Sequence, residues 1–126
     1  KVLFSVNNAA SQQPDVLLNA ALFGWVIENL CKNSIDAIGG VGEIRIDISG
    51  ARESIYVDIT DTGKGIPEKS FTKIFKPGFT TKKHGWGLGL SLSRRIIEEY
   101  HGGKIFVKYS EPGKGTCIRI SMSRAK

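Results

Sequence analysis

The chain has 126 residues, of which 40% are hydrophobic and 24% are charged, and its formal net charge is +6. This length and composition are those of one soluble globular domain with a substantial core. No uncharged apolar run reaches the roughly 18 residues that a membrane-spanning helix needs, which excludes direct membrane contact through such a segment. Because the first residue is Lys1 and no signal-peptide pattern is present, we expect an excised module of a cytoplasmic protein.

The charge is divided unevenly along the chain. Residues 1–63 hold four Lys and Arg against eight Asp and Glu, which gives −4, whereas residues 64–126 hold fourteen against four, which gives +10. A basic half of this kind suits an anionic partner, either a nucleic acid or a polyphosphate, or forms a lysine-rich solvated surface. Phe71, Phe75 and Phe79 recur there at helical spacing and are predicted to pack rather than to stack on bases, so the aromatic residues do not decide between these partners.

The periodicity of apolar residues predicts five strands and three helices. The strands are KVLFSV, GEIRIDISG, SIYVDITD, KIFVKYS and GTCIRISM, at residues 1–6, 42–50, 54–61, 104–110 and 115–122. The helices span residues 19–38, 67–74 and 90–101, and the short second helix begins with Pro67. The short turns predict two hairpins. This order predicts an α+β fold, a two-layer α/β sandwich in which a mixed, mostly antiparallel sheet carries about three helices on one face.

Each of the two long helices has an apolar face. The residues predicted to be buried are Phe23, Val26, Ile27, Leu30, Ile35 and Ile38 in the first, and Leu92, Ile96, Ile97 and Tyr100 in the second. Arg94 and Arg95 stand four residues before Glu98 and Glu99, a spacing that predicts ion pairs on the exposed side. His101 is predicted to cap the end of the second long helix.

The first long helix also carries a polar stripe. Asn29, Asn33 and Asp36 follow one another at i, i+4 and i+7 and therefore share one side of the helix. Asn and Asp are weak helix formers, so their alignment among apolar residues favours a ligand site over a solvated stripe. Their oxygens suit Mg²⁺, which takes one or two protein ligands and completes its shell with phosphate oxygens and water. Asn33, in the middle of the stripe, is the predicted metal ligand.

Three glycines precede the second long helix. In HGWGLGLSLSRRIIEEYHGG, residues 84–103, glycine occupies positions 85, 87 and 89. The sequence at this point favours either a hinge or a phosphate site, because amides at a helix start have no intrahelical partner and attract anions. Neither G-x-G-x-x-G nor G-x-x-x-x-G-K-[ST] occurs, so a nucleotide would bind in another way. Lys82 and Lys83, on the preceding basic segment, would reach its phosphates as mobile charges.

Asp61 ends an apolar strand and enters the turn T-G-K-G. Its carboxylate either bonds local amides, as in an ordinary turn, or accepts a hydrogen bond from an exocyclic amine. Gly63 and Gly65 would let a flat ring approach the backbone closely. Thr116, at the start of the last strand, would supply a second polar contact.

Five blocks resemble, in order, the N, G1, F, G2 and G3 boxes of the catalytic and ATP-binding domain of histidine kinases: ENLCKNSIDA, DTGKGIP, IFKPGFTTK, GWGLGLSLSRRIIEEYHGG and GKGT. The resemblance covers nearly the whole chain, and FTTK followed by GLGLS is similar to the nitrogen-regulatory type of sensor kinase. It implies that residues 1–126 form this domain of the GHKL superfamily, without the dimerisation domain that carries the phospho-accepting histidine. The implied function is transfer of the γ-phosphoryl group of Mg-ATP to that histidine, with a response regulator downstream and no nucleic-acid partner.

The resemblance also implies roles for residues at matching positions. Asn33 would bind Mg²⁺, Asn29 would lie close to the metal and phosphates, and both would act with Lys82 in catalysis. Asp61 would accept a hydrogen bond from the adenine amine. Residues 75–84 would form a mobile lid. Just beyond the lid, Trp86 departs from the small residue that is usual at its position. The implied nucleotide-binding residues are Asn33, Asp36, Asp61, Gly63, Gly65, Ile66, Phe75, Thr80, Thr81, Lys82, Lys83, Gly85, Gly87, Leu88, Gly89, Leu90 and Thr116.

Other functions are weighed against this one. Sister ATPases such as gyrase place a water-activating Glu where this chain has Asn29, and the adjacent Glu28 is rotated by about 100° around the helix, so transfer to histidine fits better than hydrolysis. A non-catalytic nucleotide-sensing module remains open. An aspartic protease is disfavoured, because Lys64 follows D-T-G and two long helices do not suit an all-β enzyme. Neither histidine begins a phospho-acceptor pattern, so we expect no self-phosphorylation.

Overall fold

A computed structural model describes residues 1–8, 18–78 and 89–124 of the chain. Five strands form one sheet: β1 (Val2–Asn8), β2 (Gly42–Gly50), β3 (Ser54–Asp61), β4 (Lys104–Glu111) and β5 (Gly115–Ser123). Their order across the sheet is β1-β2-β3-β5-β4. β1 pairs in parallel with β2, and the other three pairs are antiparallel. The predicted mixed, mostly antiparallel sheet and both predicted hairpins are therefore confirmed.

The first long helix, α1 (Ala20–Ile38), has clear stop and start signals at both ends. The side chain of Asn19 caps its start by accepting a 3.0 Å hydrogen bond from the backbone N–H of Leu22. Gly39 ends the helix in the left-handed conformation at φ 67°, and its N–H donates to the carbonyl oxygen of Ile35 at 3.1 Å. These capping residues explain why the predicted limits of this helix agree with the structure.

The predicted short helix is wrong in its type. Residues Glu68–Ser70 and Lys73–Phe75 form two separate 3₁₀ turns rather than one α-helix. Pro67 stands just before the first turn with φ −66° and ψ 145°, and is not its first helical residue. A segment this short can form few i→i+4 hydrogen bonds, so the tighter i→i+3 turns satisfy its backbone instead.

The second long helix begins at a glycine and changes its winding part-way. α2 (Gly89–Arg95) continues without interruption into a π-helical turn, Ile96–Tyr100. The predicted ion pairs are confirmed on its exposed side, at 3.1 Å between Arg94 and Glu98 and 2.8 Å between Arg95 and Glu99. At its end the ring of His101 bonds the carbonyl oxygen of Ile96 through Nδ1 at 2.9 Å, which confirms the predicted cap.

The core lies between the helices and one face of the sheet. Its buried side chains include Val26 and Leu30 of α1, Ile97 of the π turn, and Ile59 and Ile120 of the two central strands. Among the described residues, no helix has the length and apolarity needed to cross a membrane. The helices cover a single face of the sheet, in agreement with the predicted α+β sandwich.

Three apolar residues that the periodicity assigned to the core are exposed: Ile35, Leu92 and Tyr100. Successive residues of an α-helix are about 100° apart around its axis. Ile35 follows buried Ser34 and Leu92 precedes buried Ser93, so both side chains are turned away from the core by that angle. Tyr100 ends the π turn, whose wider winding moves it away from the α-helical spacing on which its predicted burial depended. Phe23, Ile27 and Ile38 are only partly buried against the core.

The opposite face of the sheet carries an ion pair between buried Asp58 and half-buried Arg119. Asp58 of β3 stands opposite Arg119 of β5, and both of its oxygens accept 2.8 Å hydrogen bonds from that guanidinium. Lys108 Nζ lies 3.6 Å from the same carboxylate, and Arg119 stacks 4.2 Å above the ring of Tyr56. Burial alone would raise the pKa of Asp58, but the hydrogen bond and charge of Arg119, with the charge and hydrogen bond of Lys108, outweigh it and hold this pKa below its usual range.

Replacing this carboxylate should make stability depend less on pH. We expect Asp58→Asn to lower the free energy of unfolding at pH 7 by about 1–3 kcal/mol, because the neutral amide leaves Arg119 half-satisfied. A carboxylate with a lowered folded-state pKa stabilises above its unfolded-state pKa and loses this effect as pH falls through the folded-state value. The gap between wild type and variant should therefore narrow below about pH 4.

Urea unfolding at pH 7 and pH 3 measures both effects. The matched control is Asp47→Asn, because Asp47 also pairs with an arginine, Arg45, at 2.7 Å but on a more exposed part of the sheet. Its loss should stay within about 0.5 kcal/mol at pH 7. A stability gap for Asp58→Asn that is the same at both pH values would contradict the assigned role of the ion pair.

Candidate functional site

Asp61 and Thr116 meet at the ends of the two central strands. They are direct partners in the β3–β5 register, and both are buried, with 7% and 5% of their surface exposed. Asp61 Oδ1 accepts a 2.9 Å hydrogen bond from the N–H of Gly63, so the predicted local turn bond is present. A carboxylate offers about four acceptor positions, so this bond leaves capacity for a further donor. Asp61 and Thr116 thus form a buried polar surface beside the turn.

The turn after Asp61 is held from both sides by backbone hydrogen bonds. On one side the N–H of Lys64 donates to the carbonyl oxygen of Ala37 at the end of α1, at 3.0 Å. On the other side the carbonyl oxygen of Lys64 accepts from the N–H of Gly113 at 2.7 Å. At Gly63 a Cβ would come within 2.8 Å of the backbone carbon of Ala37, and at Gly65, φ 78°, a Cβ would overlap the Glu111 carbonyl. Both predicted glycines are therefore required by close packing.

Ser110 organises the same region and was missed by the sequence analysis. Its Oγ accepts a 2.7 Å bond from the N–H of Ile66, donates to the carbonyl oxygen of Gly115 at 2.9 Å, and lies 2.8 Å from Thr116 Oγ1. The hydroxyl therefore joins the turn to β5. The only signal in the sequence was a serine near the end of an alternating strand, and the register shift between Val107 and Tyr109 that aligns it appears only in the structure.

Asn29, the first residue of the polar stripe of α1, faces the start of α2. Asn29 Nδ2 donates a 3.2 Å hydrogen bond to Ser93 Oγ, and Ser93 Oγ donates to the carbonyl oxygen of Gly89 at 2.9 Å. A Cβ on Gly89 would lie 2.5 Å from Asn29 Oδ1. Asn29 of the stripe is thus brought against Gly89, the one glycine of the predicted cluster that lies in the described part of the chain. Asn33 is half-buried further along α1, and Asp36 is exposed.

Ser93 is the second residue that the sequence analysis missed. It has 0% of its surface exposed and lies on the core side of α2, three and four residues before Ile96 and Ile97. A serine at an apolar position of an amphipathic helix was the available signal, because a buried hydroxyl needs partners.

The chemistry of this region fits a magnesium–phosphate site. Among the described residues, no group of three or more His, Cys, Asp or Glu side chains is placed to hold a metal ion. Mg²⁺ does not need such a cage, because it retains water and takes its remaining oxygens from phosphate groups. The amide oxygen of Asn29, which lies so close to Gly89 that a Cβ there would overlap it, is of the chemical type that suits the neighbourhood of such a metal.

The remaining predicted site residues fall into two groups. Phe75 is buried in the core, as predicted for its packing role, and Ile66 and Leu90 are partly buried against the same core. Residues 79–88 lie outside the described part of the chain. The predictions for Thr80, Thr81, Lys82, Lys83, Gly85, Gly87 and Leu88, and the departure at Trp86, fall there and stay predictions.

The fold is shared with known catalytic domains. The nucleotide-free catalytic domain of the histidine kinase ThkA superposes with a TM-score of 0.85 at 33% identity, over 99% of this chain and 82% of that one. Residues 19–126 match the family model described as histidine kinase-, DNA gyrase B-, and HSP90-like ATPase. The chain therefore belongs to this family, and its fold is that of a histidine kinase catalytic domain.

Named relatives in bacteria agree with this assignment. Sporulation kinase A of Bacillus subtilis is 41% identical over 99 residues, which is 79% of this chain and 16% of that protein. The sensor histidine kinase ZraS of Escherichia coli is 40% identical over 85% of this chain and 23% of its own length. The nitrogen regulation protein NtrY of Azorhizobium caulinodans is 34% identical over 80% of this chain and 14% of its own length. The chain thus spans less than a quarter of the length of these three relatives.

Proposed function

We propose that this chain binds Mg-ATP and donates its γ-phosphoryl group to a histidine on a separate dimerisation and phospho-acceptor domain. The observation that carries the proposal is the contact between Asn29 of α1 and Gly89 at the start of α2, which joins an oxygen-bearing helix to a bare helix entrance. The family match and the fold support nucleotide binding as the general function.

In this proposal the adenine ring lies against the turn after Asp61. The Asp61 carboxylate accepts a hydrogen bond from the adenine amine while Oδ1 keeps its bond to Gly63. Gly63 and Gly65 let the ring approach the backbone, and Thr116 supports the carboxylate from the neighbouring strand. Ile66 and Asp36 complete the nucleotide contacts predicted for this side.

The phosphates lie between the two helices. Asn29 and Asn33 present amide oxygens from α1, and Asn33 is the proposed metal ligand. The backbone at Gly89 and Leu90 faces the phosphates, and the preceding residues Gly85, Gly87 and Leu88 belong to the same phosphate-binding segment. The lid, which begins at Phe75, supplies hydroxyl groups and positive charge from Thr80, Thr81, Lys82 and Lys83. Bound Mg²⁺ supplies neutralisation of phosphate charge, and the protein supplies position and orientation.

The acceptor comes from outside this chain in the proposal. A nitrogen of the acceptor histidine attacks the γ-phosphorus, the bond from this phosphorus to the β–γ bridging oxygen breaks, and ADP leaves. The structure of ThkA in complex with the response regulator TrrA, which covers 98% of this chain at a TM-score of 0.82, supports a response regulator as the later partner. Hydrolysis is disfavoured because Glu28 is exposed on α1, one position away from Asn29.

Calorimetry with Mg-ATP tests the binding step, and incubation with radiolabelled ATP tests the transfer step. We expect binding, no phosphohistidine on the chain alone, and phosphohistidine when the intact parent protein supplies its acceptor domain. Hydrolysis should be slow and unchanged in Glu28→Gln. Rapid hydrolysis that is lost in this variant would favour an ATPase, and binding without transfer in the intact protein would favour a nucleotide-sensing module.

A further inference from the structure

We propose that Ser93 is a positioning residue that holds the Asn29 amide with its oxygen toward Gly89 at the start of α2, where the proposed phosphate site lies, and so favours Mg-loaded ATP over metal-free ATP. This inference rests on the proposed function. It concerns a side chain that is buried, lies one helical turn into α2, and touches neither metal nor nucleotide in the proposed arrangement.

The hydrogen-bond directions around Ser93 determine the orientation of the amide. A serine hydroxyl has a single hydrogen, and Ser93 donates it to the carbonyl oxygen of Gly89 at 2.9 Å. The same oxygen can then only accept from Asn29, at 3.2 Å, so Asn29 must present its NH₂ group rather than its carbonyl oxygen. The Asn29 Oδ1 atom consequently lies on the other side of the amide, next to the Cα of Gly89.

This orientation has a chemical consequence at the phosphates. The oxygen of the Asn29 amide attracts a nearby Mg²⁺ held by Asn33, whereas its NH₂ group would repel the cation and donate to bare phosphate oxygens. If the amide rotated by half a turn, the same residue would favour nucleotide without metal. Ser93 therefore selects the orientation suited to Mg-ATP.

The serine also joins the two helices mechanically. It bonds the carbonyl oxygen four residues earlier in its own helix and the side chain of Asn29 in α1. The position of the Asn29 amide is thereby linked to the first turn of α2. A Cβ on Gly89 in that turn would overlap the amide oxygen of Asn29.

The test is a double-mutant cycle read by calorimetry, with Mg-ATP and with ATP in EDTA. Ser93→Ala removes only the hydroxyl oxygen, and we expect Mg-ATP affinity to fall about fivefold to tenfold while ATP affinity in EDTA changes less than about twofold. In the Asn29→Ala background, Ser93→Ala should have no further effect on Mg-ATP affinity, because Ser93 acts through that amide. Thermal unfolding of each variant verifies that it is folded.

The outcomes separate this inference from the proposed function. Binding of Mg-ATP by the unaltered chain tests the proposed function by itself. If the unaltered chain binds but Ser93→Ala weakens both forms of the nucleotide equally, or if the two substitutions are additive, Ser93 has a purely structural role and the inference is overturned.

Discussion

Replacement of Asp61 by asparagine should weaken Mg-ATP binding by at least about a hundredfold, because asparagine cannot satisfy both the N–H of Gly63 and the proposed adenine amine. Asp61 Oδ1 accepts from the N–H of Gly63 at 2.9 Å, and an asparagine in the same place must turn its single oxygen toward that amide. Its NH₂ group would then face the adenine amine, donor against donor. The site would lose a charge-assisted hydrogen bond and gain a buried repulsion.

Lys64→Ala is the matched control for this substitution. Lys64 lies in the same turn with its side chain exposed, and both of its backbone hydrogen bonds survive replacement by alanine. We expect nucleotide affinity within about twofold of wild type for this variant, since the bonded backbone atoms are unchanged. Calorimetry on both variants measures the difference. Equal nucleotide affinities for wild type and Asp61→Asn would show that Asp61 does not bind the adenine.

Gly115→Ala should lower the free energy of unfolding by at least about 3 kcal/mol, the largest stability effect that we expect from one methyl group. Gly115 has φ 142°, and a Cβ there would overlap the backbone carbonyl oxygen of Asp61. Backbone atoms cannot rotate away as a side chain can, so β5 must separate from β3 at this point. Because Thr116 follows directly and pairs with Asp61, nucleotide binding should be lost together with stability.

Gly113→Ala, two residues earlier in the same hairpin turn, separates crowding from backbone strain. Gly113 also has a positive φ, 84°, but a Cβ there would meet nothing within 4 Å. We expect a loss of only about 1–2 kcal/mol, from the left-handed conformation alone. Urea unfolding of both variants provides the comparison. Similar losses for the two would show that crowding against Asp61 is unimportant.

Asp61→Asn and Gly115→Ala act on one structural unit. The turn after Asp61 is bonded to the end of α1 through Ala37 and to the β4–β5 turn through Gly113, so the candidate adenine pocket is assembled from three distant parts of the chain. Ser110 adds a side-chain connection between Ile66 and Gly115. A disturbance in any of these elements is therefore expected to reach the site.

Local sequence signals determined much of the fold. Alternating isoleucines predicted β2 and β3, because a half-buried strand exposes every second residue. The glycines at 39 and 40 predicted the end of α1, because a glycine can take the left-handed conformation that closes a helix. Asn19, predicted as the first helical residue, is the capping residue just before it. The i, i+4 spacing predicted the ion pairs of α2 for the same local reason.

The polar clusters of the site were also visible in the sequence, since Asn29, Asp61 and the glycines stand out by residue type and spacing. How these clusters meet was decided only by the tertiary structure. The hydroxyls of buried Ser93 and half-buried Ser110 gained their roles from partners 64 and 44 positions away in the chain, Asn29 and Ile66. The π turn that exposes Tyr100 likewise had no signature in the apolar pattern. Spacing along a chain reports the face of one helix or strand, whereas hydrogen bonds between elements depend on how those elements pack.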